Sequence, residues 1–289
     1  MTANQKAPRK NRSSNYRSGF PHWEFDFDAP ISIVGFGIDQ AILALGDGTI
    51  QFWTAGETNP ASVKAHSGAI LCAVLDESHT GIITGGDDGR LVHTFADGRC
   101  ELLASTGGRW IEQVARQPGG ALSWSQGRTV EVVLAANGGR VATNLPTSCE
   151  GLSFEPNGGR LAAAHYGGVT LLSHADGRLE HDLCTWKGSH IAVSWSPDAR
   201  FLVSAMQEAA LHVWRLSDRR DLHMGGYPAK PRGLSWSADR AQLATTGGPG
   251  ALTWFFDGKD GPEGRNAELL AERDELATAI AWHPKTMTL

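Results

Sequence analysis

The chain is 289 residues long and 41% of it is hydrophobic, which is enough for a large buried core and excludes a disordered polymer. Its formal net charge of −5 excludes a molecule built to hold nucleic acid by releasing counterions, and no apolar run reaches the length needed to span a bilayer. Cys72, Cys100, Cys149 and Cys184 stand singly, without paired spacing and without an apolar secretory segment before them, so they read as buried small hydrophobes or isolated thiols in a reducing cytoplasm.

The charge is unevenly spread. Lys6, Arg9, Lys10, Arg12 and Arg17 fall within residues 1–20, where no acidic residue occurs, and this segment is expected to be a disordered basic tail. His22 to Phe27 mixes aromatics with acids and reads as an extended strand. Residues 21–289 are expected to form one all-β domain built from copies of a small meander. The clearest copy runs from Gly188 to Trp214. Ile191, Val193 and Trp195 alternate with polar residues as in a half-buried strand, and Ser196, Pro197 and Asp198 make a turn. Phe201 to Met206 form a second strand, Gln207 to Ala210 a second turn, and Leu211, Val213 and Trp214 a third strand.

The apolar residue that closes each first strand recurs as Phe36, Val74, Val114, Phe154, Trp195, Trp236 and Trp282, at intervals of roughly 40 residues. A second marker, on the third strands, keeps step with it: Ile50, Leu91, Val130, Val169, Leu211 and Leu252. Copies are therefore expected near 31–60, 66–105, 109–145, 150–184, 189–225 and 231–272. A partial one is expected near 276–289, where the chain stops before a second and third strand. Such short antiparallel strands cannot bury their faces alone, so each copy must pack on its neighbours.

Ala65-His66, Gly85-Gly86-Asp87-Asp88-Gly89, and the positions of Trp53 and Trp214 resemble the WD-repeat β-propeller family. Runs around His165-Tyr166-Gly167-Gly168, Trp186 to His190 and Gly226 to Ala229 are similar to those of bacterial WD-repeat proteins that have no assigned biochemical role. The chain departs from the pattern in having Thr54 and Arg215, not Asp, after the two tryptophans. The family's buried network of His, Ser or Thr, Asp and Trp is approximated only by His190, Ser204, Glu208 and Trp214. The resemblance implies a WD-repeat-like β-propeller with six full four-stranded blades and an incomplete seventh, its ring open or cut short. It also implies that an N-terminal strand completes the last blade.

Chemistry is hard to find in the pattern. None of the eleven histidines has the close partner of a zinc-ligand motif, Gly35-Phe36-Gly37 lacks the third glycine and following helix of a phosphate loop, and no Gly-x-Ser-x-Gly elbow occurs. No catalytic residue, metal or cofactor is expected. The expected function is a non-catalytic, monomeric cytoplasmic scaffold that binds a protein or peptide partner, and neither nucleic acid nor membrane. In this fold the loops entering the first strands and the turns between second and third strands share one face. There the sequence would place Arg109, Trp110, His165, Tyr166, Trp186, Lys187, Met206, Gln207, Tyr227, Lys230 and Arg232. Exposed aromatics among Arg and Lys are the residue types that concentrate binding energy. The alternative is a propeller enzyme, hydrolytic or metal-dependent, with carboxylates from several blades meeting at the channel mouth.

Overall fold

Apolar side chains at every second position, interrupted by Gly-, Asp- and Ser-rich turns, dictate short strands, and a computed structural model of the chain is all-β. It describes residues 27–54, 57, 59–135, 138–175, 178–272, 276–286 and 289. No helix occurs among them, and so none long and apolar enough to cross a membrane. The basic tail and most of the strand expected before Phe27 lie outside the described residues.

The first sheet is an antiparallel meander of β1 (Ile31–Phe36), β2 (Gln40–Leu45), β3 (Thr49–Thr54) and β4 (Ala61–Lys64). The second contains β5 (Ile70–Leu75), β6 (Gly81–Gly86), β7 (Arg90–Phe95) and β8 (Cys100–Ser105), and the third β9 (Gln113–Arg116), β10 (Leu122–Gln126), β11 (Thr129–Val133) and β12 (Arg140–Asn144). A six-stranded sheet follows: β13 (Gly151–Phe154), β14 (Arg160–Ala175), β15 (Arg178–Trp195), β16 (Phe201–Met206), β17 (Ala210–Arg215) and β18 (Arg220–Met224). The last sheet is β19 (Leu234–Trp236), β20 (Gln242–Gly248), β21 (Gly250–Phe255) and β22 (Glu268–Glu272).

Neighbouring sheets touch through their first strands, β1 with β5, β5 with β9 and β9 with β13, and β15 meets β19 in the same way. The outer strands face solvent, β8 along nearly its whole length. First strands at a hub and fourth strands at the rim make a β-propeller. Five apolar clusters fill the spaces between successive sequence copies. The first joins Ile42, Ile50 and Phe52 to Ile70, Ile82 and Val92. The last joins Phe201, Val203 and Val213 to Leu243, Trp254 and Phe256.

The blade count differs from the expectation of six full blades plus a partial seventh: among the described residues the sheets number five, one of them with six strands. The fourth and fifth sequence copies are joined in that wide sheet through β15, whose earlier part pairs with β14 and whose later part pairs with β16. The pair Tyr166↔Ser189 carries the ladder from one copy to the next. The long strands are not straight. His165 and Thr170 are bonded side chain to side chain at 2.8 Å, and His190 Nε2 lies 3.0 Å from the Trp186 carbonyl. In an extended strand, residues that far apart in sequence would be separated by more than about 12 Å. β14 therefore doubles back at Gly167 and Gly168, and β15 turns at Gly188. All three glycines have positive φ, and a side chain on Gly168 would strike the Cys184 carbonyl.

The expected seventh copy is also different. Residues 276–283 form no strand, although Trp282 is buried as its position in the repeat requires. The Ala277 amide donates to Gly248 O at 3.3 Å, and the Trp282 amide donates to Ser235 Oγ at 2.8 Å. The His283 ring lies 5.4 Å from that of Phe36. The segment thus wedges between the last sheet and the first, beside a cavity of about 250 Å³ bounded by β1, β5 and residues 280–284. Its amide is taken by a side-chain hydroxyl and not by a ladder partner, so no blade forms.

Candidate binding face

The loops before first strands and the turns after second strands are held by buried polar links that tie loop to sheet. In the second sheet, His66 Nε2 lies 2.8 Å from Thr84 Oγ1 on β6, and Nδ1 lies 3.0 Å from Asp88 Oδ1 in the following turn. Asp88 also accepts from the Ser67 and Arg90 amides, each at 3.1 Å. Burial works to raise the Asp88 carboxyl, but His66 and these two amides together hold it below its ordinary value. In the last sheet a tyrosine does the work of the histidine. Tyr227 Oη is 2.8 Å from Thr245 Oγ1 and accepts from Trp254 Nε1 at 2.6 Å. In the wide sheet His165 pairs with Thr170 and the carbonyl of Tyr166, each at 2.8 Å, while His190 Nδ1 pairs with Ser204 Oγ at 2.7 Å.

The expectation that only His190, Ser204, Glu208 and Trp214 would approximate such a network is corrected by these contacts. His190 does meet Ser204, with its ring 5.6 Å from Trp214, but Glu208 accepts from the Ser189 amide at 3.1 Å and not from His190, whose second nitrogen faces the Trp186 carbonyl. The fuller chain is His66, Thr84 and Asp88. A signal for it exists in the sequence, since His66 to Thr84 and Tyr227 to Thr245 span the same 18 residues.

The eleven residues expected on the binding face divide according to burial. Arg109, Lys187, Gln207, Lys230 and Arg232 are exposed, as are Trp110 and Tyr166, each with 57% of its surface open to solvent. Trp186 is half-buried and stacks on His212, with ring centroids 4.0 Å apart and planes 22° from parallel. His165, Met206 and Tyr227 are interior. The first and last of these serve the links just described, and Met206 closes the end of β16. Lys230 Nζ reaches Gln207 Oε1 at 3.4 Å, which joins the loops of two copies.

Two residues that the sequence reading passed over complete the face. Glu112 precedes β9 and Glu150 precedes β13. Glu112 Oε2 accepts from the Gly127 amide at 2.5 Å. The Glu150 carboxyl is pushed up by burial and by the negative charge of Glu112, with Arg232 opposing. The charges of Glu112 on the third sequence copy and of Arg232 on the sixth thus both act on Glu150. No protein-family model matches the chain, and no curated protein matches it significantly. Among the described residues no group of three or more His, Cys, Asp or Glu could hold a metal ion.

Proposed function

We propose that the chain is a WD-repeat-type propeller that works as a monomeric cytoplasmic scaffold of bacterial type, binding a protein or peptide partner on its loop face without catalysis. The carrying observation is the pair Trp110 and Tyr166. Both are large aromatics more than half exposed, and both sit on anchored loops: Tyr166 follows His165, whose ring bonds the buried Thr170 hydroxyl, and Trp110 precedes Ile111, whose amide donates to the Gly86 carbonyl at 3.1 Å. Rigid exposed aromatics lose little conformational entropy on docking, and they rank among the commonest hot-spot residues. The mixed charge around them suits a polar peptide. The negative net charge argues against nucleic acid.

The test is capture of a partner from the native host by the intact protein and by Trp110→Ala and Tyr166→Ala. Expected is one protein retained by the parent chain and lost from both variants, with thermal unfolding unchanged to within about 0.5 kcal/mol, as for surface substitutions. Retention by both variants would remove the assignment.

One observation supports a second reading, an enzyme with its site at the channel mouth. Glu150 is a carboxyl of raised pKa beside another carboxylate, the arrangement that supplies a general acid. A hydrolytic activity lost on Glu150→Gln, with Trp110→Ala still active, would favour it.

A further inference from the structure

The opposite end of the propeller, formed by the turns between first and second strands and between third and fourth, carries a cavity of about 700 Å³. Five cationic side chains line it: Arg160, Arg200, Arg215, Arg220 and Lys259. They come from three successive sequence copies. Arg160 begins β14, Arg200 lies in the turn before β16, Arg215 and Arg220 flank the turn from β17 to β18, and Lys259 lies on the connection after β21. Only two carboxylates, Asp218 and Asp260, share the lining.

The guanidinium groups are held in place. Arg160 is gripped by Glu155 through Nε at 3.0 Å and Nη2 at 2.6 Å, and its guanidinium lies over the Trp195 ring at 4.8 Å. Arg200 Nε donates to Asp198 at 2.5 Å and Nη1 to the Gly258 carbonyl at 2.8 Å. Arg215 is forked on Asp218, with a third bond to Asp260 at 2.6 Å, and Arg220 pairs with Glu263. Glu155, Asp198 and Glu263 lie outside the lining but pair with these arginines, so that with Asp218 and Asp260 the cluster is close to neutral until a ligand takes over the carboxylates' places. Among the described residues the Lys259 ammonium has no acid within ion-pair distance.

We infer that this cavity is a binding site for a compact oligophosphate, an anion that carries several charges on a triphosphate-sized group. Planar guanidinium forks match phosphate oxygens, and Lys259 adds a point charge. A singly charged anion would compete poorly with Asp218 and Asp260, but exposed Arg–carboxylate pairs are individually weak and yield to a ligand that meets several cations at once. Releasing an arginine from its carboxylate offsets part of the gain, so binding depends on a ligand that meets several cations together. The negative net charge of the chain disfavours a nucleic acid strand, which would extend well beyond this cluster.

The probe is sodium tripolyphosphate, titrated into the intact protein at constant ionic strength and followed by calorimetry and thermal unfolding. Expected is saturable binding with a raised Tm. Affinity should fall about tenfold in Lys259→Gln and in Arg220→Gln, in keeping with loss of one charged hydrogen bond each, with Tm unchanged without the probe. Trp110→Ala and Tyr166→Ala should bind the probe normally, which keeps this site distinct from the loop face. Equal stabilisation by sulfate at matched ionic strength would overturn the inference, as would undiminished affinity in both variants. Tighter binding of a single-stranded RNA oligonucleotide, lost in the same variants, would overturn it in favour of a nucleic acid surface.

Discussion

His212 lies on β17, fully buried, with neither ring nitrogen bonded to any described group. Trp186 stacks on one side of it, Trp214 meets it edge-on at 4.4 Å, and His190 lies 6.4 Å away on β15. Its strand partners are Ser204 on β16 and His223 on β18. No carboxylate contributes to its shift, and the charge of Glu208, which accepts from the Ser189 amide, acts on the neighbouring His190. Burial, with the nearby charges of His190 and His223, depresses its pKa from 6.5 to about 3. The unfolded chain therefore binds a proton at this position that the folded chain refuses. Stability is complete above pH 6.5 and declines as pH falls toward 3. By pH 4 the loss amounts to something on the order of 3 kcal/mol. His212→Phe, which keeps a flat ring between the two indoles, should flatten the pH dependence of urea unfolding between pH 6.5 and 4, with His190 and His165 supplying the remaining slope.

At the scale of strands and turns, Asp88 fastens the turn after β6 to the loop before β5 through bonds from His66, Ser67 and Arg90. Asp88→Ala should cost about 1–3 kcal/mol in chemical denaturation, because it strands the buried His66 nitrogen and two amides. Glu208→Ala, which loses only its hold on the Ser189 amide, should cost less than about 1 kcal/mol. The strands themselves were legible from the pattern. Ile50, Leu91, Val130, Val169 and Leu211 lie on β3, β7, β11, β14 and β17, and each is fully buried, because period-two alternation records which face turns inward, while the sixth marker, Leu252 on β21, is half-buried. What the pattern did not reveal is main-chain continuity. The Tyr166↔Ser189 pair involves peptide groups next to glycine turns, where side chains carry no signal. The interior placement of His165 and Tyr227 was missed for a related reason. A polar residue in a loop reads as surface until its partner, far along the chain, is known. Glu112 and Glu150 belong to separate copies, and only the closure of the fold brings them together.

At the scale of the molecule, each interface between neighbouring copies has its own apolar cluster, and none of the five clusters joins the last sheet to the first. That junction is made by residues 277–284, with Trp282 as its largest side chain. Trp282→Ala should destabilise by about 3 kcal/mol in thermal or urea unfolding through the void it leaves. Trp282→Phe should cost much less, since the indole Nε1 it removes is buried without a partner among the described residues. Here the repeat misled. Trp282 keeps the period, yet residues 276–283 form no strand, and its amide bonds a serine hydroxyl.

The shared sheet has a mechanical consequence. Main-chain bonds also tie other neighbouring copies, from the Ile38 amide to the His79 carbonyl, from Ile111 to Gly86 and from Cys149 to Gly127. Between the fourth and fifth copies the Tyr166↔Ser189 pair adds a ladder contact beside the exposed Tyr166 and Lys187, so a load on that part of the loop face passes directly into main chain shared by two copies.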